Sequence, residues 1–300
     1  MQAETNPITR RQFLSISVAS VALLSSRSLH ADPPSTQATK RYRISACDWM
    51  MLKRQKPGAL TLAKDCGLDG VELDMGGLGK NPDFKNELKN DEFRTKYQES
   101  AQSLGIEISS LAMSAFFGQA WAVHPSADKF AADWIGLMEL MKIRIGFLPL
   151  GVGADIEKDP SIRPGLVEHL KLAAPLAEKA GVIIGLGGAL SVDESKRLLD
   201  DIGSTAVKMY YHLGDQMEKG RDIYADIRAL GTDRICQIHF SETDGAWLGD
   251  GKIDLKKSKE ALDEIGYSGW LVLERSRVEG KKPKENFSAN CARLKAVFQA

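Results

Sequence analysis

The chain has 300 residues, with 40 Lys+Arg against 40 Asp+Glu, a formal net charge of zero, and 43% hydrophobic residues. That balance excludes an electrostatic grip on a polyanion, because nucleic-acid affinity rests largely on neutralising phosphates. The apolar content is that of a soluble, enzyme-sized domain with a real core.

Thr9-Arg10-Arg11-Gln12-Phe13-Leu14 opens an apolar, small-residue run that lasts to Leu24. A basic start, a short apolar region and then polar residues is the layout of a removable signal. The paired arginines before Gln-Phe-Leu resemble a twin-arginine export signal. The run is too short and too rich in Ser and Ala for a stable membrane span, which takes about 20 apolar residues. We therefore expect a signal peptide over 1–31, a flexible Pro/Ser/Thr-rich stub over 32–40, one folded domain over 41–300, and a periplasmic or otherwise exported product. Residues 1–31 hold three Arg and one Glu, so the remainder carries 37 basic against 39 acidic side chains.

From residue 41 onward, short β-rich runs alternate with longer amphipathic stretches. The first strand is expected over 43–50 and its helix over 57–66, ended by Gly67. The second strand (70–75) precedes a helix over 91–104, ended by Gly105. The third (106–113) precedes 128–141, and the fourth (145–152) precedes 163–180, ended by Gly181. The fifth (182–186) leads to 192–202 and Gly203, the sixth (207–213) to 222–230 and Gly231, and the seventh (235–240) to 254–265 and Gly266. The eighth strand (270–274) is followed by a helix over 285–298. Glycine takes the left-handed conformation at a helix end without a Cβ clash. Strands alternating with helices of this length imply a parallel sheet. Eight units with no segment left over imply a single (β/α)₈ TIM barrel. A doubly wound sheet would want a glycine-rich phosphate loop after the first strand, and Cys47-Asp48-Trp49-Met50-Met51 is not one.

Cys47 and Cys236 fall in strand patterns, Cys66 and Cys291 in helical ones. They lack the close pairs of a thiolate metal site, so buried reduced thiols are expected. A Cys66–Cys291 disulfide is the one pairing that adjacent first and last helices would allow in an exported protein.

In such a barrel the C-terminal strand ends and the loops after them build the active site. Reading them in order gives Asp48 and Trp49, Glu72 and Asp74, Phe116 to Trp121, Asp155, Gly187 and Gly188, His212 and Asp215, then His239 with Glu242 and Asp244, and lastly Glu274 and Arg275. His124 also falls on this face, whereas His169 lies within a helix and reads as a surface residue. The basic loop of Arg275, Arg277, Lys281, Lys282 and Lys284 reads as a solvated charged loop.

Cys47-Asp48-Trp49, Gly70-Val71-Glu72-Leu73, Val207-Lys208-Met209-Tyr210-Tyr211, Gln237-Ile238-His239-Phe240, Leu248-Gly249-Asp250-Gly251-Lys252-Ile253-Asp254 and Gly269-Trp270-Leu271-Val272-Leu273-Glu274 resemble the xylose isomerase-like family of sugar phosphate isomerases and epimerases. The resemblance spans 41–298. It implies one divalent metal (Mn²⁺, Zn²⁺, Mg²⁺ or Co²⁺) held by Glu, Asp, His and Glu from strands five to eight. It also implies two glutamates that move a proton on opposite faces of the carbon beside a carbonyl. His239 and Glu274 match that pattern. Gly187 stands where the family has its first glutamate, and His212 where it has aspartate.

His212, His239 and Glu274 would still form a two-histidine, one-carboxylate set, with Asp215 as a fourth ligand or as the group orienting His212. Glu274 is the expected general base and Glu72 the second catalytic candidate. Trp49, Trp121, Glu242 and Arg275 are the expected substrate contacts. The sequence thus reads as a divalent-metal-dependent isomerase, epimerase or related lyase that abstracts a proton next to the carbonyl of a sugar or keto-sugar. The alternative is a sugar-binding barrel that has lost its metal centre. A small carbohydrate is the expected partner, a homo-oligomer is left open, and the multi-zinc endonuclease branch of this barrel is excluded by the shortage of strand-end histidines.

Overall fold

The computed structural model describes residues 40–300 apart from Val152, Asp244 and Ser276. The expected leader, all of the stub except Lys40, and Asp244 therefore lie outside the described residues. Strand β1 (Tyr42–Cys47) is followed by α1 (Gly58–Asp65), β2 (Gly70–Asp74), α2 (Asp91–Leu104), β3 (Glu107–Ala112) and α3 (Ala127–Met141). Then come β4 (Ile145–Pro149), α4 (Arg163–Ala180), β5 (Ile183–Gly187), α5 (Val192–Ile202), β6 (Val207–His212) and α6 (Leu213–Glu218). The last units are α7 (Ile223–Arg234), β7 (Ile235–Phe240), α8 (Leu255–Glu264), β8 (Gly269–Leu273) and α9 (Pro283–Phe298).

The eight strands close in sequence order into a parallel barrel, with β1 pairing β8 from Tyr42↔Gly269 to Ala46↔Leu273. All expected strands and helices are present. Glycines 105 and 181 end α2 and α4 at φ 64° and 68°, which an L side chain rarely adopts. β1 stops earlier than expected because Asp48 turns the chain: its Oδ2 accepts the Gln55 N–H at 2.7 Å, and its carbonyl accepts the Lys53 N–H at 2.9 Å. Helix α6 was not expected at all. Helix α7 runs past Gly231, which kinks it rather than ending it.

The barrel has two packing zones. Apolar side chains that point outward from the strands meet the inner faces of the helices. Trp134 of α3 is an example: it packs so closely on β4 that a Cβ at Gly146 would lie 2.1 Å from its ring, while its Nε1 donates to the Leu111 carbonyl. Inside the lumen, Cys47, Ala112, Phe147, Tyr210, Trp270 and Val272 form a smaller cluster. The four cysteines are unbonded: Cys66 and Cys291 donate instead to the carbonyls of Lys284 and Gly67. Among the described residues, no helix is long and apolar enough to cross a membrane.

Candidate active site

The lumen carries polar side chains in two tiers. Strand alternation sends every second residue inward, so Tyr210 and His212 share one face of β6, and Gln237 and His239 share one face of β7. In the lower tier, Glu72 Oε2 lies 2.7 Å from His239 Nε2 and accepts the Tyr210 hydroxyl at 3.0 Å. Gln237 Nε2 donates to Tyr210 at 2.7 Å and to Ser110 at 3.0 Å. Glu72 and His239 are fully buried. The β2–β3 register shifts between Val71 and Glu72, and the β6–β7 register shifts between Met209 and Tyr210. Such irregularities re-aim side chains, and both fall directly before members of this network.

In the upper tier, His212 Nε2 meets Glu274 Oε2 at 2.5 Å, and Arg275 Nε lies 3.5 Å from the same oxygen. His212 also caps α6, its Nδ1 accepting the Asp215 N–H at 3.1 Å. That bond leaves the ring proton on Nε2, aimed at Glu274. Burial alone would raise the Glu274 carboxyl, but His212, His239 and Arg275 outweigh it and hold the group at about 2. Burial opposes charge on His212 as well, yet the carboxylates of Asp215 and Glu274 push the imidazole upward.

The fifth strand contributes no side chain to this arrangement. A Cβ at Gly187 would lie 2.0 Å from Phe147 Cε2, and one at Gly185 would lie 3.0 Å from the Tyr210 ring. Rings from β4 and β6 therefore occupy the space that the two glycines vacate. Phe147 is itself held between Tyr210 at 4.7 Å, His239 at 4.6 Å and Phe117 at 5.7 Å, centroid to centroid.

Above the upper tier opens a pocket of about 740 Å³. His212 and Glu274 form part of its floor, Trp49 and Phe117 part of its wall, and Arg54, Asp155, Lys219 and Arg275 part of its rim. Arg54 bridges the buried Asp74 and Ser114, and Lys219 holds Asp155 at 2.9 Å.

Ligand atoms of His212, His239 and Glu274 lie within 4.8 Å of one another. Among the described residues, His239 Nδ1 has no hydrogen-bond partner although it is buried. An unmet buried ring nitrogen is costly, and a cation beside it would remove that cost. These three residues therefore fit a divalent metal. Cys47, Glu72 and His239 form a second close set, in which burial, with Glu72 and Glu274 nearby, pushes the Cys47 thiol well up.

The structure brings some of the expected residues together and leaves others apart. His212, His239 and Glu274 converge, and Trp49 and Arg275 line the pocket. Asp215 stands on the Nδ1 side of His212, at 3.5 Å, and is ion-paired with Arg275. It is placed to orient the ring rather than to join the close set. Glu72 lies in the lower tier, beneath the pocket. Glu242, expected at the substrate, instead accepts the N–H groups of Thr243 at 3.0 Å, Lys252 at 2.9 Å and Ile253 at 3.3 Å, bracing its own loop. Trp121, also expected there, sits on a short 3₁₀ turn (Trp121–Val123), 1% exposed, with its ring 5.5 Å from that of His169 of α4. His124 packs on Phe116 and on Phe130 of α3, ring centroids 6.0 and 5.0 Å away, with its Nδ1 accepting the Ser126 N–H. Phe147, Tyr210 and Gln237 were not singled out from sequence, although the period of two places the last two behind His212 and His239.

A closed parallel barrel with its polar groups gathered at the C-terminal strand ends has the layout of a TIM-barrel enzyme. The profile of the xylose isomerase-like TIM barrel family matches residues 60–297, and the chain belongs to that family. It is 24% identical over 251 residues to the "Putative L-ribulose-5-phosphate 3-epimerase SgbU" of Escherichia coli (strain K12), covering 76% of this chain and 86% of that one. In fold it is similar to D-psicose 3-epimerase from Clostridium cellulolyticum H10, solved with D-tagatose (TM-score 0.69, 17% identity, 85% of this chain and 99% of that one). It is also similar to an L-ribulose 3-epimerase (TM-score 0.70, 18% identity, 86% and 95%).

Proposed function

We propose that the protein is a carbohydrate isomerase or epimerase-like enzyme, dependent on a divalent metal, that removes a proton next to the carbonyl of a sugar or keto-sugar. The observation that carries this reading is Glu274: a buried carboxylate, held ionised, at the floor of a pocket of about 740 Å³ that has room for a sugar. The names of the three relatives given above, two sugar 3-epimerases and one putative sugar-phosphate 3-epimerase, agree with it.

His212, His239 and Glu274 would hold the metal, which supplies polarisation of the substrate carbonyl and an adjacent hydroxyl. A carboxylate held at about 2 is a weak base, so the C–H it attacks must be acidified by such polarisation. Glu274 would accept the proton at the oxygen facing the pocket. His212, fixed by its capping bond, would ligate through Nε2 once that nitrogen has given up its proton, and Arg275, 3.5 Å from Glu274 Oε2, offsets the negative charge. Trp49 and Phe117 offer apolar surface to the sugar ring and restrict water.

Glu274→Gln preserves size and hydrogen bonding but removes basicity. Turnover of ketoses, followed by NMR on protein shown to be folded by circular dichroism, should fall by about two orders of magnitude or more. A Glu274→Gln variant as active as wild type would remove the assignment. We also propose that residues 1–31 direct export, a reading supported by Arg10-Arg11 and the apolar run that follows them.

A further inference from the structure

We infer that Phe147 is the specificity-determining residue of this pocket, and that its ring bars proton delivery to the substrate face turned away from Glu274. The inference rests on the proposed chemistry at Glu274 and narrows it. In the closed strand order, β4 and β8 stand four places apart, on opposite sides of the lumen. Glu274 directly follows β8, and Phe147 belongs to β4. Phe117, Phe147, Leu150, Gly187, Ala189 and Leu190 line the side facing Glu274. The acid on that side, among the described residues, is Asp155. It is held by Lys219 at 2.9 Å and by the N–H groups of Glu157 and Lys158.

The ring cannot be read as a loose filler. It is 1% exposed, boxed in by Tyr210, His239 and Phe117, and seated on a glycine that leaves it no room to be replaced from β5.

Inverting a carbon requires a proton to leave one face and another to arrive on the opposite face. Here one face meets a carboxylate and the other an aromatic ring. The C–H bond breaks towards Glu274 while its electron pair forms the enediol double bond and the carbonyl pair moves onto oxygen. The proton then returns from Glu274 to the same face, at the original carbon or at its neighbour. Return to the original carbon is exchange; return to the neighbour, with the hydroxyl proton passing to the former carbonyl oxygen, is aldose–ketose isomerisation. Both balance without a co-reactant. The substrate is therefore a ketose bound with its apolar C–H face towards the wall that Phe117 and the Phe147 ring behind it build.

The test uses the Mn²⁺-supplemented protein in D₂O with D-fructose, D-psicose, D-tagatose and L-ribulose, followed by NMR, together with calorimetric Kd values for wild type, Phe147→Ala and Phe147→Leu. Circular dichroism melts establish that each variant is folded, and Phe147→Leu, which retains apolar bulk, guards against collapse of the alanine variant. Wild type should take up deuterium beside the carbonyl, or isomerise, without forming the epimer. Phe147→Ala should bind ketose roughly tenfold more weakly, the scale of a lost aromatic platform, and Phe147→Leu should recover part of that loss. Epimer formed by wild type at the rate of exchange overturns the inference, as does an unchanged Kd in folded Phe147→Ala. Phe147-dependent ketose binding with no exchange or isomerisation for any sugar supports the wall but overturns the enzymatic reading on which its stereochemical consequence rests.

Discussion

Glu72 and His239, from strands β2 and β7, meet at 2.7 Å with both side chains wholly out of solvent. Such a pair is costly to break from one side, because the partner left behind is buried without compensation. Glu72 also receives the Tyr210 hydroxyl. Glu72→Ala should therefore destabilise the fold by about 3–5 kcal/mol, measured by urea unfolding. A loss below about 1 kcal/mol would mean that the lumen re-forms its bonds or admits water.

Divalent metal should raise the melting temperature in a concentration-dependent way, because it binds the native state alone. At a hundredfold excess over Kd the gain is about 2.7 kcal/mol. Scanning calorimetry after chelation and dialysis, with Mn²⁺, Zn²⁺, Co²⁺ or Mg²⁺ added back, measures it, and His212→Ala or His239→Ala should abolish the shift. An unchanged melt in all four metals would point to the metal-free sugar-binding barrel.

Asp48 and Asp74 form a buried acid pair below the pocket rim. Burial pushes Asp74 up to about 6 despite Arg54 and the N–H groups of Gly76 and Ser114, and burial with the Asp74 charge pushes Asp48 up as well. Tyr97 of α2 faces Asp48 and offers no opposing positive charge. A carboxyl raised on folding contributes stability that is complete below its unfolded value, near 3.8, and is lost as pH rises through about 6. Wild type should lose stability from this source between pH 4 and 7, and Asp74→Asn should reduce that loss by roughly 2 kcal/mol. Urea titrations at pH 4.5 and 7.5 decide it, and parallel pH slopes for the two proteins would argue against the pair.

Changing Arg10 and Arg11 together to Lys should strand the precursor in the cytoplasm. Cell fractionation with antibody detection reads this out, and equal export of the variant would remove the signal assignment.

The barrel was legible because β/α alternation and glycine-ended helices are local signals, each readable within about fifteen residues. The convergence of His212, His239 and Glu274 followed from their places at consecutive strand ends. What the sequence did not reveal depends on closure. Glu72 finds His239, 167 positions further along the chain, only after the intervening strands have folded, and the register shifts before Glu72 and Tyr210 leave no mark in hydropathy. Trp121 and Glu242 follow strand ends and so read as rim residues. A short 3₁₀ turn carries the first towards α4, and backbone N–H groups engage the second. Gly187 read as a missing carboxylate. Only the packing shows that the fourth strand has filled its place with a ring.

His212 serves two masters, since the same imidazole that faces Glu274 through Nε2 ends the backbone of a six-residue helix through Nδ1. Helix α6 is too short to persist by its own propensity, and it carries Asp215 and Glu218 to the pocket. Whatever fastens Nε2 thereby also stiffens the segment that closes one side of the cleft. Amide exchange over residues 213–218 would then report occupancy of the centre without any substrate being turned over.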